Sequence, residues 1–513
     1  MLFLVCIGVL RYTLGARWPR SRTTILLTGS LAFYGYWDWR ILGLLIATVA
    51  VNYVAALRIF RARGPAATAG ENAGEEALEG DAPGRPVGTG AGSGRYWSVD
   101  RLWLWLAVGF NLLCLGIFKY YLFVQGVWAQ LLAAHWENGP GLPVLEILLP
   151  VGISFYTFQI TAYTVDVFRG VVAAERSFAN LLLFTTYFPQ LVAGPIERAN
   201  RLLPLLRSPP DPTYDQFRTG LILACWGIFK KVFIADNLSR FVDIVLIAEV
   251  SPPPGAYFVA ACVFAVQIYA DFSGYTDVAR GVSRMMGIEL TLNFNLPFLA
   301  SNPADFWRRW HITLGAFLRD YVYIPLGGNR AGPLFQARNI LIVWTLGGLW
   351  HGASIGFLVW GFYCGALVVA YGVCAPLIRR LADTHWSVAR LLLYGGRVFT
   401  FLTFAHGLLL FRVDSTDHLW HVIENVFWFF GDGVGGAAGV DAVHAGLSSA
   451  LLWQMLFYIW PLILMQAIQH WRGRLEVIGE FAWPVRYVVY VVGGVLFLLF
   501  GEFGGGAFFY FQF

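Results

Sequence analysis

Residues 339–365 read NILIVWTLGGLWHGASIGFLVWGFYCG. The stretch is 27 residues long and carries no lysine, arginine, aspartate or glutamate. A helix needs about 20 apolar residues to cross the hydrocarbon layer, so this run is long enough. It also holds one imidazole, His351. An ionisable side chain at membrane depth is costly and is a functional candidate by default. Gly348, Gly352 and Gly356 are spaced four apart, which predicts one helical face of small residues against which a neighbouring backbone can pack. Trp344 lies one heptad before His351, and Ser354 three residues after it. At this stage two readings stay open: an imidazole satisfied by a neighbouring carbonyl, or one presented to an internal space.

The rest of the chain shares this character. Of 513 residues, 58% are hydrophobic and 13% charged, and the mean hydropathy is +0.60. A soluble domain carries about twice that charge. The 42 Phe, 23 Tyr and 21 Trp suit a protein with two membrane–water interfaces. The net charge of +5 fits basic cytoplasmic loops and is no argument for nucleic acid. The six cysteines form no C-x-x-C pair, and most lie in apolar runs, where cysteine acts as a small hydrophobe.

Apolar runs fall at about 1–15, 23–37, 39–60, 102–134, 144–168, 178–196, 217–248, 255–271, 336–374, 391–411, 450–470 and 485–500. Several are short or broken by Pro, Gly or charge, which predicts tilted and re-entrant helices around an internal cavity. Residues 1–15 lack a preceding basic region and are expected to be a first helix rather than a cleaved signal. Arg17, Arg20 and Arg22, with Arg58, Arg61 and Arg63, place the loops after the first and third runs in the cytoplasm. Residues 64–95 are rich in Gly and Ala, carry scattered Glu and have no aromatic residue, as a disordered loop would. Polar breaks follow at 207–214 and about 431–448. The expected organisation is N-terminal membrane helices at 1–63, a cytoplasmic loop at 64–100, a membrane core at 101–375 and C-terminal membrane helices at 376–513. No internal repeat is visible.

Other polar groups cluster in three places. Residues 301–330 read SNPADFWRRWHITLGAFLRDYVYIPLGGNR. Asn302-Pro303 is a helix start, with Asn as N-cap and Pro in the first turn. Phe306, Trp307, Trp310, Phe317 and Leu318 then give the helix an aromatic side. Arg308, Arg309 and His311 make it polar too, until Pro325 and Gly327-Gly328 end it. Such a helix lies in an interface or lines a polar cavity, which Tyr321 and Tyr323 are placed to share; lipid phosphates are the plainer partners for the arginines. Residues 265–297 carry Asp271, Ser273, Tyr275, Asp277, Arg280 and Arg284, with Asp277 and Arg280 spaced to pair. This is either an ion-paired scaffold or a polar lining. In 185–201, Pro189, Gly194 and Pro195 forbid a regular helix, leaving Gln190, Glu197 and Arg198 to reach a cavity. His311 and His351 have no local ligand partners, so no metal site is expected. There is no nucleophile elbow, P-loop or dinucleotide fingerprint.

Taken together, DFWRRWHITLGAFLRDYVYIPLGGNR and LGGLWHGASIGFLVWG resemble the membrane-bound O-acyltransferases, and more narrowly the branch that O-acetylates alginate in bacteria. Further matches are SLAFYGYWDWR near the start, LPVGISFYTFQITAYTVDVFRG at 149–170, FPQLVAGPIER at 188–198, QIYADFSGYTDVARG at 267–281 and the closing FFYFQF. The resemblance implies an all-α polytopic membrane fold, a helical bundle around a central funnel or tunnel with re-entrant and interfacial helices. It implies transfer of acetyl groups toward an extracytoplasmic polysaccharide, from the bacterial inner membrane. The family's essential histidine of the WHG motif falls on His351, and that of the RRWH motif on His311. Asp305 and Arg319 match surrounding positions. Trp310, Trp350, Tyr321, Tyr323, Gln190 and Asp271 are further candidates for the substrate path. The expected donor is a cytoplasmic thioester, acetyl-CoA, with no tightly bound cofactor. Expected partners are membrane lipid and a periplasmic acetyltransferase or the glycan itself.

Alginate is the first expectation for the polymer, with cellulose, peptidoglycan and other exopolysaccharides as alternatives. Rival readings are a carrier of acetyl groups or lipid-linked sugars without chemistry, and a scaffold subunit of an export complex. The sequence departs from the family pattern at its shortened N-terminus, in the long 64–95 loop, and in FAHGLLLFR at 404–412, which lacks an expected Trp.

Overall fold

The computed structural model describes residues 21–63, 98–126, 128, 150–192, 194–246, 254–412, 420 and 449–504. Expectations for residues 1–15, 64–95 and 431–448 and for the closing FFYFQF lie outside them. Among the described residues the regular structure is helical, without strands. Seven helices among the described residues are long and apolar enough to cross a membrane. Low charge and long apolar runs leave no alternative, because a backbone in hydrocarbon must satisfy its own N–H and C=O groups.

The chain forms two compact units, Met1–Val192 with Ile196–Asp211, and Ala193–Pro195 with Pro212–Phe513. In the first, α1 (Ser21–Trp37), α2 (Trp39–Arg63), α3 (Val99–Leu115), α4 (Ile153–Arg169), α5 (Phe178–Thr186) and α6 (Ala199–Arg207) pack together. Their polar glue is a buried amide pair. Asn52 on α2 donates to Asn111 on α3 at 2.8 Å, and Asn111 donates back at 3.1 Å. Thr164 on α4 adds a third donor to Asn52 at 2.8 Å. Side-chain hydrogen bonds between spanning helices hold their register in this way. Residues 187–192 and 194–198 are turns and irregular chain between α5 and α6, in keeping with Pro189, Gly194 and Pro195. Arg207 then ends α6, and the 207–214 break carries the chain to the second unit.

In that unit, α7 (Tyr214–Phe229) crosses α9 (Pro254–Met285) with backbones in contact. A Cβ on Gly220 would lie 2.7 Å from the Gly281 carbonyl oxygen, so only glycine allows the approach. Between α7 and α8 (Asp236–Leu246) the helix widens into a π segment at Lys230–Ala235. There Lys230 bonds Ser273 and Asp277 at 2.8 and 2.7 Å, while Lys231 bridges Asp236 and Asp271 at 2.7 and 2.8 Å. Asp277 and Arg280 do pair, at 3.7 Å. The nearer partner of Asp277 is the buried Lys230, which lies 47 positions away.

The aromatic helix predicted from Asn302 starts as expected. Asn302 accepts from the Asp305 amide at 2.8 Å, and Pro303 opens the first turn. The helix does not continue through His311. It breaks into α10 (Pro303–Arg309) and α11 (Ile312–Leu318), with His311 between them in the left-handed region at φ +45°. A π segment, Arg319–Tyr323, follows.

The single helix predicted over 339–365 is also two. α12 (Pro333–His351) ends on His351 itself, Gly352 is extended, and Ser354 caps α13 (Ile355–Ala382) by accepting from the Phe357 amide. Gly348, Gly352 and Gly356 therefore share no helical face. Close packing runs instead between the two helices: a Cβ on Gly361 would lie 3.0 Å from the Gly348 Cα. The expected boundary at 375/376 falls within α13, which runs unbroken through it. Among the described residues there follow α14 (Trp386–Leu408), α15 (Ser449–Arg472) and α16 (Trp483–Phe500).

Candidate active site

Both helix breaks open onto one space. A cavity of about 280 Å³ lies among α10, α11, α12 and α13, and His311 and His351 both line it. Its walls are apolar and aromatic: Trp307, Trp310, Trp344, Trp360, Leu314 and Leu318. Arg308 and Arg319 also line it, and their side chains are 73% and 66% exposed. By contrast His311 is 3% and His351 6% exposed.

The imidazole of His311 is held by backbone geometry and by one amide. Asn293 Oδ1 accepts from the Thr313 amide at 3.2 Å and the Thr313 hydroxyl at 2.9 Å, and lies 3.1 Å from His311 Nδ1. A backbone N–H only donates, so the Asn293 atom facing it must be the oxygen. An amide oxygen only accepts, so His311 Nδ1 must carry the proton. Burial pushes the imidazole down to about 3, which makes the ring neutral. In a neutral ring protonated at Nδ1, Nε2 is the acceptor. The ring also stands edge-on to Phe272 at 4.8 Å.

His351 is fixed by packing. Its ring lies 5.1 Å from Trp360, 5.4 Å from Phe411 and 4.9 Å from Trp350, centroid to centroid. Trp350 also lies 5.8 Å from His311, so one indole touches both imidazoles. Such ring contacts restrain the orientation of each imidazole. What the arrangement offers chemically is two buried imidazoles on one largely apolar cavity, one of them a defined hydrogen-bond acceptor.

Of the other residues singled out from the sequence, Trp310 and Arg319 line the cavity. Trp350 lies behind it, against the imidazoles. Asp305 pairs with Arg309 at 2.9 Å and Arg308 at 3.8 Å, fastening α10. Tyr321 packs on Phe317, and Tyr323 shares a hydrogen bond with Gln336; neither lines the cavity. Asp271 is held by Lys231. Gln190 belongs to the first unit, where its amide donates to the Phe184 carbonyl at 3.0 Å. Sequence reasoning did not single out Asn293 and Phe411. Asn293 lies 18 positions from the ring it orients, and no local pattern marks such a pair.

Residues 171–411 match the model of MBOAT, the membrane-bound O-acyltransferase family. That span includes Asn293, both histidines and the whole cavity. The chain is 36% identical to the probable alginate O-acetylase AlgI of Azotobacter vinelandii, over 80% of this chain and 73% of the relative. It is 30% identical to the peptidoglycan O-acetyltransferase of Helicobacter pylori, over 82% and 75% respectively. A teichoic acid D-alanyltransferase of Bacillus subtilis is 28% identical over 49% of this chain and 65% of the relative. The family expected from the motifs is the family found. The chain belongs to the membrane-bound O-acyltransferase family, and it is a multi-pass membrane O-acyltransferase.

Proposed function

We propose that this enzyme moves acetyl groups from a cytoplasmic thioester donor, acetyl-CoA, to hydroxyls of an extracytoplasmic polysaccharide, with alginate as the polymer and the bacterial inner membrane as its place. The observation that carries the reading is the pair of buried imidazoles on one apolar cavity. The choice of acetyl and of alginate rests on likeness to the probable alginate O-acetylases, which match over four fifths of the chain. Peptidoglycan is the second reading, favoured by the Helicobacter pylori relative. The acceptor hydroxyl belongs to a periplasmic acetyltransferase partner or to the glycan itself.

Acyl transfer to a hydroxyl needs a base on the acceptor and a way to hold it in line. His351 takes the proton as the hydroxyl oxygen attacks the thioester carbonyl. The carbon–sulfur bond then breaks, and the proton passes to the leaving thiolate, so no net proton is consumed. His311, an acceptor at Nε2, holds the attacking hydroxyl by receiving its hydrogen bond. A neutral imidazole in this tautomer has no proton at Nε2 to polarise the donor carbonyl, so of the two roles open to His311, orienting the acceptor fits the geometry.

The test is acetyl transfer in membranes carrying His351→Ala and His351→Gln variants that remain folded and inserted. Loss of general-base assistance alone is worth roughly 10²–10⁴-fold. Near-normal turnover in either variant sinks the proposal and favours a carrier without chemistry.

A further inference from the structure

We infer that the indole N–H of Trp360 is the hydrogen-bond donor to the acyl carbonyl oxygen while that oxygen carries negative charge during transfer. The role rests on the reading of this cavity as the seat of acyl transfer, and it supplies what the two imidazoles do not.

Three observations carry it. The first is an orphaned donor. Trp360 is 2% exposed, and among the described residues no acceptor lies within hydrogen-bond distance of its Nε1. A buried indole N–H usually finds a partner, and a donor left without one destabilises the fold. The neighbours of this indole are rings: Phe411 at 4.7 Å, His351 at 5.1 Å and Trp307 at 5.9 Å, each near a right angle to it. A buried polar group kept unsatisfied calls for a reason. An acceptor that arrives with the substrate is such a reason.

The second is placement. Trp360 lines the cavity together with His311 and His351, and among the described residues it is the tryptophan of that wall that packs on His351, the base. The charged donors on the cavity, Arg308 and Arg319, have side chains 73% and 66% exposed, whereas Trp360 shares the burial of the imidazoles. Its backbone is also held. The next residue, Gly361, meets Gly348 so closely that a Cβ on it would lie 3.0 Å from the Gly348 Cα, which keeps α13 against the helix that ends on His351. A donor set in place before the reaction is the kind that lowers a barrier.

The third is chemistry. As the acceptor oxygen attacks the thioester carbon, the carbonyl electrons move onto oxygen, and that charge needs a donor. His351 is engaged with the proton of the attacking hydroxyl, and His311 offers an acceptor at Nε2. An indole nitrogen only donates, so Trp360 cannot compete for that proton. Its hydrogen bond is stronger among apolar rings than in water. The N–H keeps its proton throughout. The oxyanion collapses, the carbonyl re-forms, the carbon–sulfur bond breaks, and the thiolate takes its proton from His351.

The test replaces Trp360 in the full chain, in membrane vesicles, by benzothienylalanine, which keeps the bicyclic shape and puts sulfur where the N–H was. Acetyl transfer from acetyl-CoA and thermal unfolding are both measured. Loss of one oxyanion donor is expected to lower kcat roughly 10²–10³-fold, with KM for acetyl-CoA changed by less than about twofold. Unfolding should occur at the wild-type temperature or above it, because the N–H removed had no partner in the fold. A fluorotryptophan at the same position keeps the N–H and should keep the wild-type rate. W360F, the encoded variant, should lose at least as much rate and also melt lower, because it leaves a gap beside His351. Normal kcat in the benzothienylalanine protein overturns the inference. So does a raised KM with unchanged kcat, which would make the N–H a ground-state contact. A lost rate accompanied by a lower melting temperature in that protein overturns it too, since the N–H would then serve the fold. With H351A inactive, any of these results strikes Trp360 alone; normal turnover in H351A as well strikes the reading of the cavity itself.

Discussion

Replacing Asn293 by alanine tests whether the left-handed His311 is held for a purpose. Asn293 is 1% exposed, and its Oδ1 receives the Thr313 amide, the Thr313 hydroxyl and His311 Nδ1. Truncation leaves these three donors buried without that acceptor. A buried donor left unsatisfied costs about 1–3 kcal/mol; the hydroxyl can turn elsewhere and the loop can relax, so the total is roughly 2–4 kcal/mol. His311 at φ +45° itself costs about 1–2 kcal/mol. The amide therefore more than offsets the strain, and without it the loop has reason to leave the left-handed region and carry the ring away. A displacement of about 1 Å in a positioning group costs roughly 10²-fold in rate.

The expected result is N293A protein that inserts, melts lower and transfers acetyl about a hundredfold more slowly, measured in membrane vesicles against H351A as the floor. N293D is the control. It keeps an acceptor oxygen, but its carboxylate favours the imidazolium and raises the His311 pKa from its depressed value. Protonation removes the acceptor at Nε2. The acid limb of the N293D pH–rate profile should therefore move to higher pH, whereas the wild-type ring stays neutral down to about 3. Wild-type turnover in N293A, with the loop intact, refutes the account of His311.

Two further outcomes follow from the packing. A Cβ at Gly348 overlaps the Phe357 carbonyl oxygen and lies 2.8 Å from the Gly361 Cα, both backbone atoms that cannot turn aside. G348A should cost at least about 1–3 kcal/mol in thermal unfolding and lower turnover by shifting the end of α12. G347A meets only the flexible end of Leu318, at 3.2 Å, and should be tolerated; equal tolerance of both refutes the tight crossing. Glu476 is the other case. Burial alone would raise its carboxyl, but Arg284 and Arg280 outweigh burial and hold it below the usual range. A depressed carboxylate stabilises the fold above its unfolded pKa of about 4.3 and loses that contribution as pH falls through the folded value. E476Q should therefore flatten the dependence of melting temperature on pH below about 4.3, and an unchanged slope there would remove the role of this ion pair.

Much of the fold is legible because membrane helices obey a length rule. The runs at 39–60, 255–271, 336–374 and 391–411 reappear as helices, and Asn302-Pro303 and the 207–214 break fall where cap and proline chemistry put them. The two unpredicted helix breaks differ in cause. Glycines four apart can mark a packing face, or one of them can be a place where the helix stops. At Gly352 the deciding signal was Ser354, whose hydroxyl accepts the Phe357 amide and starts a new helix. At His311 no local signal exists. Aromatic and basic residues continue through 303–318 as in one helix, and the break depends on Asn293, far away in sequence. Lys230 was equally hidden, since a lysine in an apolar run gives no notice of a carboxylate 47 positions on.

These two breaks explain why a cavity exists here at all. Packed straight helices fill space with side chains and leave no chamber. Irregular backbone within a membrane protein survives only where it is covered by protein or borders a cavity. His351 ends α12, and His311 joins two seven-residue helices, so each imidazole sits where a helix stops. Beyond each stop a side chain accepts an early amide of the next helix, Ser354 that of Phe357 and Asn293 that of Thr313. The tryptophans supply most of the aromatic wall around the two rings. A continuous helix through either histidine would remove the break that opens onto the cavity, so the placement of the two imidazoles depends on Asn293 and Ser354 as well as on the histidines themselves.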